Sequence, residues 1–67
     1  MTHYQATIQS IDPTMNARHV EGFMRLEYGT LDHLSRKQIA NEIKMFKAEY
    51  TPANEIDWER NAKSYGL

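Results

Sequence analysis

Three helix-start signals divide this chain of 67 residues and restrict it to short helical segments. Asp12-Pro13 and Thr51-Pro52 each place an N-cap acceptor before a proline, a residue that suits the first position of a helix. Residues 35–38, Ser-Arg-Lys-Gln, have the spacing of a capping box. Gly29 and Gly66 stand where helix-ending glycines are expected. The sequence therefore predicts three helices, over residues 13–28, 35–50 and 52–65.

Each predicted helix carries an apolar face of the kind that packs on a core. The face is clearest in the second helix, with Ile39, Ile43, Phe46 and Tyr50. In the first helix we expect the inward residues to be Met15, His19, Phe23 and Leu26, and in the third Trp58, Ala62 and Tyr65. Gly22 interrupts the first helix, and one interpretation is that another backbone approaches it closely. These patterns predict an all-α fold, a compact three-helix domain formed by residues 12–67.

The first eleven residues show only a weak alternation of apolar and polar side chains. Tyr4, Ala6 and Ile8 alternate with polar residues, which is typical of one short strand. No second strand-like segment is present to pair with it. We therefore expect residues 1–11 to form a flexible or extended arm. The alternative is an arm that folds over its own helices, or over a neighbouring subunit, through Tyr4, Ile8 and Ile11.

Small size and the absence of cysteine exclude several classes of protein. Without cysteine the chain has no disulfide and no thiolate metal site, and we expect a cytoplasmic protein. No run of apolar residues exceeds two, so no membrane span is predicted. Asp32, His33 and Ser35 lie close in sequence, but a turn followed by a helix cap explains them. We expect no enzyme activity, no cofactor and no metal.

Several apolar residues fall outside the predicted inner faces. On a chain with a small core, they favour a second buried surface, formed with another protein or with a second copy in a homodimer. The predicted interface residues are Met24, Tyr28, Met45 and Ile56. Protein binding is therefore the leading functional prediction.

The second predicted helix also has a basic arc beside its apolar face. Its members are Arg36, Lys37, Lys44 and Lys47, with Asn41 at the edge. Clustered Lys and Arg on one helix can contact nucleic-acid phosphates. Eight basic residues against nine acidic ones weaken this interpretation, because the net charge is −1. Nucleic-acid binding is the alternative function.

Residues 28–35, YGTLDHLS, and the ending AKSYGL, residues 62–67, carry a resemblance. Together with the helix before the turn, they resemble small uncharacterised proteins of bacteria and their phages or prophages. The resemblance implies a setting in mobile elements, where small accessory or inhibitor proteins bind host or viral macromolecules. It implies no activity and assigns no catalytic or binding residue.

Overall fold

A computed structural model describes residues 1–67 as four α-helices and one 3-10 turn, within 30 × 21 × 20 Å. The elements are α1 (His3–Ile11), α2 (Ala17–Tyr28), α3 (Arg36–Glu49), the 3-10 turn Pro52–Asn54 and α4 (Glu55–Ser64). The predicted all-α class is confirmed. The predicted count of three helices is wrong, because a fourth forms at the N-terminus.

The expected N-terminal arm is helix α1. Thr2 caps it by accepting a hydrogen bond from the Gln5 amide at 3.1 Å, and Ile8 is completely buried. A buried carboxylate on α2, Glu21, accepts hydrogen bonds from the Thr2 hydroxyl at 2.6 Å and the Gln5 amide nitrogen Nε2 at 3.0 Å. Arg25 pairs with the other oxygen of Glu21 at 2.9 Å. Polar residues that look exposed in the sequence are therefore the ones that attach α1 to α2.

The start of α2 also differs from the prediction. Asn16, not Asp12, is the N-cap, and its side chain accepts from the His19 amide at 3.1 Å. Asp12 instead ends α1, because its backbone amide donates to the Ile8 carbonyl at 2.9 Å. The Asp12 carboxylate accepts a hydrogen bond from the Thr14 amide at 3.0 Å, which closes a turn. An Asp-Pro pair suits such a turn as well as a helix start.

α2 is the central helix, since α1, α3 and α4 all pack against it. It therefore buries a wide arc that includes Val20 and Met24, both completely buried. Leu26, predicted to face the core, is 58% exposed. His19 and Phe23 are buried as predicted, so the inner face of α2 is wider than predicted and includes Met24 in place of Leu26.

α3 and α4 follow the predicted pattern closely. The capping box of α3 is present, with the Ser35 amide donating to Gln38 Oε1 at 2.7 Å and the Gln38 amide to Ser35 Oγ at 3.1 Å. Its predicted face enters the core through Ile39, Ile43 and Phe46. Thr51 caps a 3-10 turn that leads into α4, so the α-helix itself starts three residues later than predicted. Tyr65, predicted to be inward, is 41% exposed.

Gly22 lies against the backbone of α4, as the close-approach interpretation predicted. A Cβ atom at this position would stand 3.2 Å from the Cα of Ala62 and 2.9 Å from Asn61 Nδ2. The aromatic rings of the core also join these helices: Phe46 packs edge-on against Phe23 and Trp58, with centroid distances of 5.5 and 5.2 Å. The absence of a side chain at Gly22 therefore sets the spacing of α2 and α4.

Candidate binding sites

The four predicted interface residues do not form one surface. Met24 is completely buried in the core, so its prediction as an interface residue is wrong. Wide burial of the central helix α2 is the physical reason. Tyr28, Met45 and Ile56 are exposed, but they lie in different places.

Met45 lines a groove of about 300 Å³ at the junction of α2, α3 and α4, which we call the apolar groove. Its lining residues are Phe23, Leu26, Glu27, Met45, Glu49 and Trp58. Leu26 and Met45 are 58% and 41% exposed, so a substantial part of each side chain is free to contact another molecule. The buried Trp58 Nε1 has no hydrogen-bond acceptor.

The two charged residues of the apolar groove, Glu27 and Glu49, are both acidic and exposed, and neither pairs with a cation of this chain. Trp58 packs against the core, as its predicted inner face requires, and it also lines the groove. Leu26 is predicted to face inward, and its membership of this surface is missed because no local pattern reports which face of α2 its neighbours cover.

A second groove, about 480 Å³ in volume, runs along α3, and we call it the polar groove. It is lined by Tyr28, Lys37, Gln38, Ala40, Asn41, Glu42 and Lys44. The structure therefore brings Tyr28, predicted for a protein interface, together with three of the residues predicted to contact nucleic acid. Lys37, Asn41 and Lys44 follow one another at i, i+4 and i+7, so they form a row on one side of α3.

The two other members of the basic arc lie outside the polar groove. Lys47 forms an ion pair with Asp12, which attaches α3 to the end of α1. Hydrogen bonds from Lys47 and Thr14 lower the pKa of Asp12 to about 2. Arg36 is exposed, does not line the groove and has no carboxylate partner. Lys47 therefore has a structural partner within the chain, whereas Arg36 does not.

Glu42 forms the buried floor of the polar groove. It is only 2% exposed, its Oε2 accepts from the Tyr28 hydroxyl at 3.0 Å, and its Oε1 has no donor. Burial, and then a shared hydrogen bond with the Glu27 carboxyl, raises the pKa of Glu42, and the Tyr28 hydroxyl partly offsets this. The floor therefore holds a proton more readily than an exposed carboxyl does.

A cluster of three polar side chains connects α2 to α4 and to the last residue. Arg18 makes two hydrogen bonds to the Glu59 carboxylate, at 2.8 and 2.9 Å, and its Nε donates to the Leu67 carbonyl at 2.7 Å. The buried His19 places Nε2 2.8 Å from Glu59. Hydrogen bonds from Arg18 and then His19 lower the pKa of Glu59 to about 2. All these partners lie within the chain, so the arrangement is that of a structural clamp.

The residues with catalytic character in the 29–34 connector and its cap do not act together. Asp32 accepts a hydrogen bond from the Tyr4 hydroxyl, and the His33 ring packs edge-on against Tyr28, with centroids 5.6 Å apart. Ser35 caps α3. No hydrogen bond joins Asp32, His33 and Ser35 to one another.

None of the helices has the length and apolar character needed to cross a lipid bilayer. No protein-family model, curated protein or solved structure matches this chain.

Proposed function

We propose that this protein is a non-enzymatic protein-binding module, whose apolar groove holds a basic amphipathic helix of another protein. The observation that carries the proposal is the apolar groove itself. Phe23, Leu26, Met45 and Trp58 form its apolar part, and Glu27 and Glu49 supply only negative charge. A helix laid in such a groove inserts apolar side chains at helical spacing, and its flanking lysines or arginines meet the two glutamates.

Charge complementarity also favours a foreign partner over a second copy at this groove. A twofold contact through the apolar groove places the Glu27 and Glu49 of each copy close to those of the other. Like charges at an interface oppose association. A partner with lysine or arginine at these positions removes that repulsion.

The same proposal extends to the cellular role. A small cytoplasmic accessory, modulator or inhibitor protein is the function to which this groove is best suited. The resemblance of residues 28–35 and 62–67 to phage and prophage proteins supports it, since that setting favours proteins that act by binding. The absence of cysteine supports the cytoplasm.

Trp58 is the only tryptophan of the chain and lines the apolar groove, so its fluorescence reports occupancy directly. The test titrates the protein with a short amphipathic helical peptide of leucine and lysine, and in parallel with one of leucine and glutamate. We expect a saturable change in Trp58 emission with the lysine peptide, weakened by salt, and no comparable change with the glutamate peptide.

Two double variants make this test specific to the groove. Leu26→Ser with Met45→Ser removes exposed apolar area from it, and binding of the lysine peptide should be lost. Ile56→Ser with Tyr65→Ser, both exposed and outside the groove, is the matched control and should bind normally. Equal binding by the two variants, or no binding by the wild type, contradicts the proposal. Equal binding of the two peptides contradicts its electrostatic part.

A further inference from the structure

One helix differs from the rest of the protein in carrying basic side chains that have no carboxylate partner. Eight Lys and Arg residues are present, and five of them pair with a carboxylate within the chain: Arg18, Arg25, Lys47, Arg60 and Lys63. The three without a carboxylate partner, Arg36, Lys37 and Lys44, all lie on α3. The net charge of −1 therefore conceals one local concentration of unneutralised positive charge.

Two of these three cations line the polar groove, and the residues between them suit an anionic strand. Lys37 and Lys44 are seven positions apart, which is about 10 Å along a helix axis. Between them lies Asn41, whose exposed side-chain amide makes no hydrogen bond within the protein. Such a row offers two positive charges and one free amide to a chain of phosphates and bases.

The opposite wall of the polar groove is aromatic. Tyr28 is 37% exposed, and its hydroxyl is held by Glu42, which fixes the ring at the edge of the groove. The Glu42 carboxyl is buried beneath this surface, with 2% of the residue exposed. A basic row facing an exposed aromatic ring is the combination by which proteins bind single-stranded nucleic acids.

We infer that the polar groove binds single-stranded nucleic acid, with phosphates on Lys37 and Lys44 and a base stacked on Tyr28. Arg36 extends the phosphate contact beyond the groove. The bases of a duplex are stacked on one another and do not reach a side chain such as Tyr28, so a single strand fits better. None of these residues lines the apolar groove, although the two grooves are adjacent through the hydrogen bond between Glu27 and Glu42.

Fluorescence anisotropy with a labelled oligothymidine, and with a duplex of the same length, tests the inference. We expect the single strand to bind more tightly, with an affinity that falls as salt rises. Lys37→Glu with Lys44→Glu should abolish binding. Arg60→Glu with Lys63→Glu makes the same charge change on exposed residues of α4 and should leave most of the binding. If binding depended only on the net charge of the protein, both double variants would lose it equally.

Variants of Tyr28 test the aromatic contact separately. Stacking of one base corresponds to a loss of about fivefold or more in affinity when the ring is removed. We expect that loss for Tyr28→Leu and near-normal binding for Tyr28→Phe, because the second variant loses the hydroxyl and keeps the ring. The inference is overturned if the duplex binds as tightly as the single strand, if the α4 variant fails equally, or if Tyr28→Leu binds normally. Circular dichroism of each variant confirms that it is folded.

Discussion

Truncation of Met24 and Leu26, one at a time, tests which side of α2 is buried, a feature on which both grooves depend. The Met24 side chain is completely buried, whereas Leu26 is 58% exposed. The periodicity of the sequence predicts the reverse, with Leu26 inward. Substitution of each residue by alanine therefore distinguishes the observed burial of Met24 from the burial of Leu26 that the sequence periodicity predicts.

The expected costs differ severalfold. Removing a fully buried Met side chain costs about 2–5 kcal/mol, from lost burial and from the cavity left behind. At about 0.05–0.15 kcal/mol per residue, a domain of 67 residues has roughly 3–10 kcal/mol of stability in total. Met24→Ala therefore removes a large part of it, and a loss of 2 kcal/mol corresponds to a fall of about 8–16 °C in Tm. Leu26→Ala is a surface substitution and should change the free energy of unfolding by no more than about 0.5 kcal/mol.

Urea denaturation at constant pH, followed by circular dichroism and by Trp58 emission, measures both free energies. Coincidence of the two transitions shows that unfolding is two-state, which the comparison requires. A loss for Leu26→Ala equal to or larger than that for Met24→Ala refutes the reasoning, since α2 would then bury the face that the sequence pattern predicts.

Three other predictions concern close packing and protonation. Gly22→Ala should lower the Tm despite the better helix propensity of alanine, because overpacking against Ala62 costs about 1–3 kcal/mol and the propensity gain is about 1 kcal/mol. Glu59 has a lowered pKa of about 2, so its contribution to stability is present above its ordinary pKa, near 4.5, and is lost as pH falls towards 2. Acid titration of Glu59→Gln should therefore show a shallower loss of Tm over this range than the wild type. Glu42 has a raised pKa, so its effect has the opposite sign: stability falls as pH rises above 4.5. Glu42→Gln keeps an acceptor for the Tyr28 hydroxyl, and should therefore raise the Tm at pH 7 more than at pH 4, as measured by calorimetry.

The elements predicted well are those specified by neighbouring residues. The capping box of α3, its Ile39–Ile43–Phe46 face and the glycine stops all depend on contacts within a few positions, and the structure contains them. The sequence predicts an arm for helix α1 because its attachment depends on Glu21, which is 19 positions from Thr2 and 16 from Gln5. A glutamate in a sequence is normally assigned to the surface.

The candidate sites were predicted only in part, for a similar reason. Lys37, Asn41 and Lys44 share one helix, so their row is visible in the sequence. Their separation from Lys47 is not, since it depends on Asp12 at the far end of α1. The apolar groove is assembled from three helices, and its position follows from the packing of α2 between its neighbours.

The position of Trp58 links the shape of the apolar groove to the packing of α4 on the other helices. The backbone of α4 packs on α2 among the other α-helices, and its main approach to α3 is through the Trp58 ring, which also contacts Phe23. Outward motion of α4 would therefore deform the groove and loosen the aromatic core in one step. By thermodynamic linkage, a ligand that fits the closed groove holds α4 in place, and a substitution that loosens α4 weakens that ligand even from a distance. For the proposed ligand, occupancy of the apolar groove and docking of α4 on the rest of the fold should therefore change together.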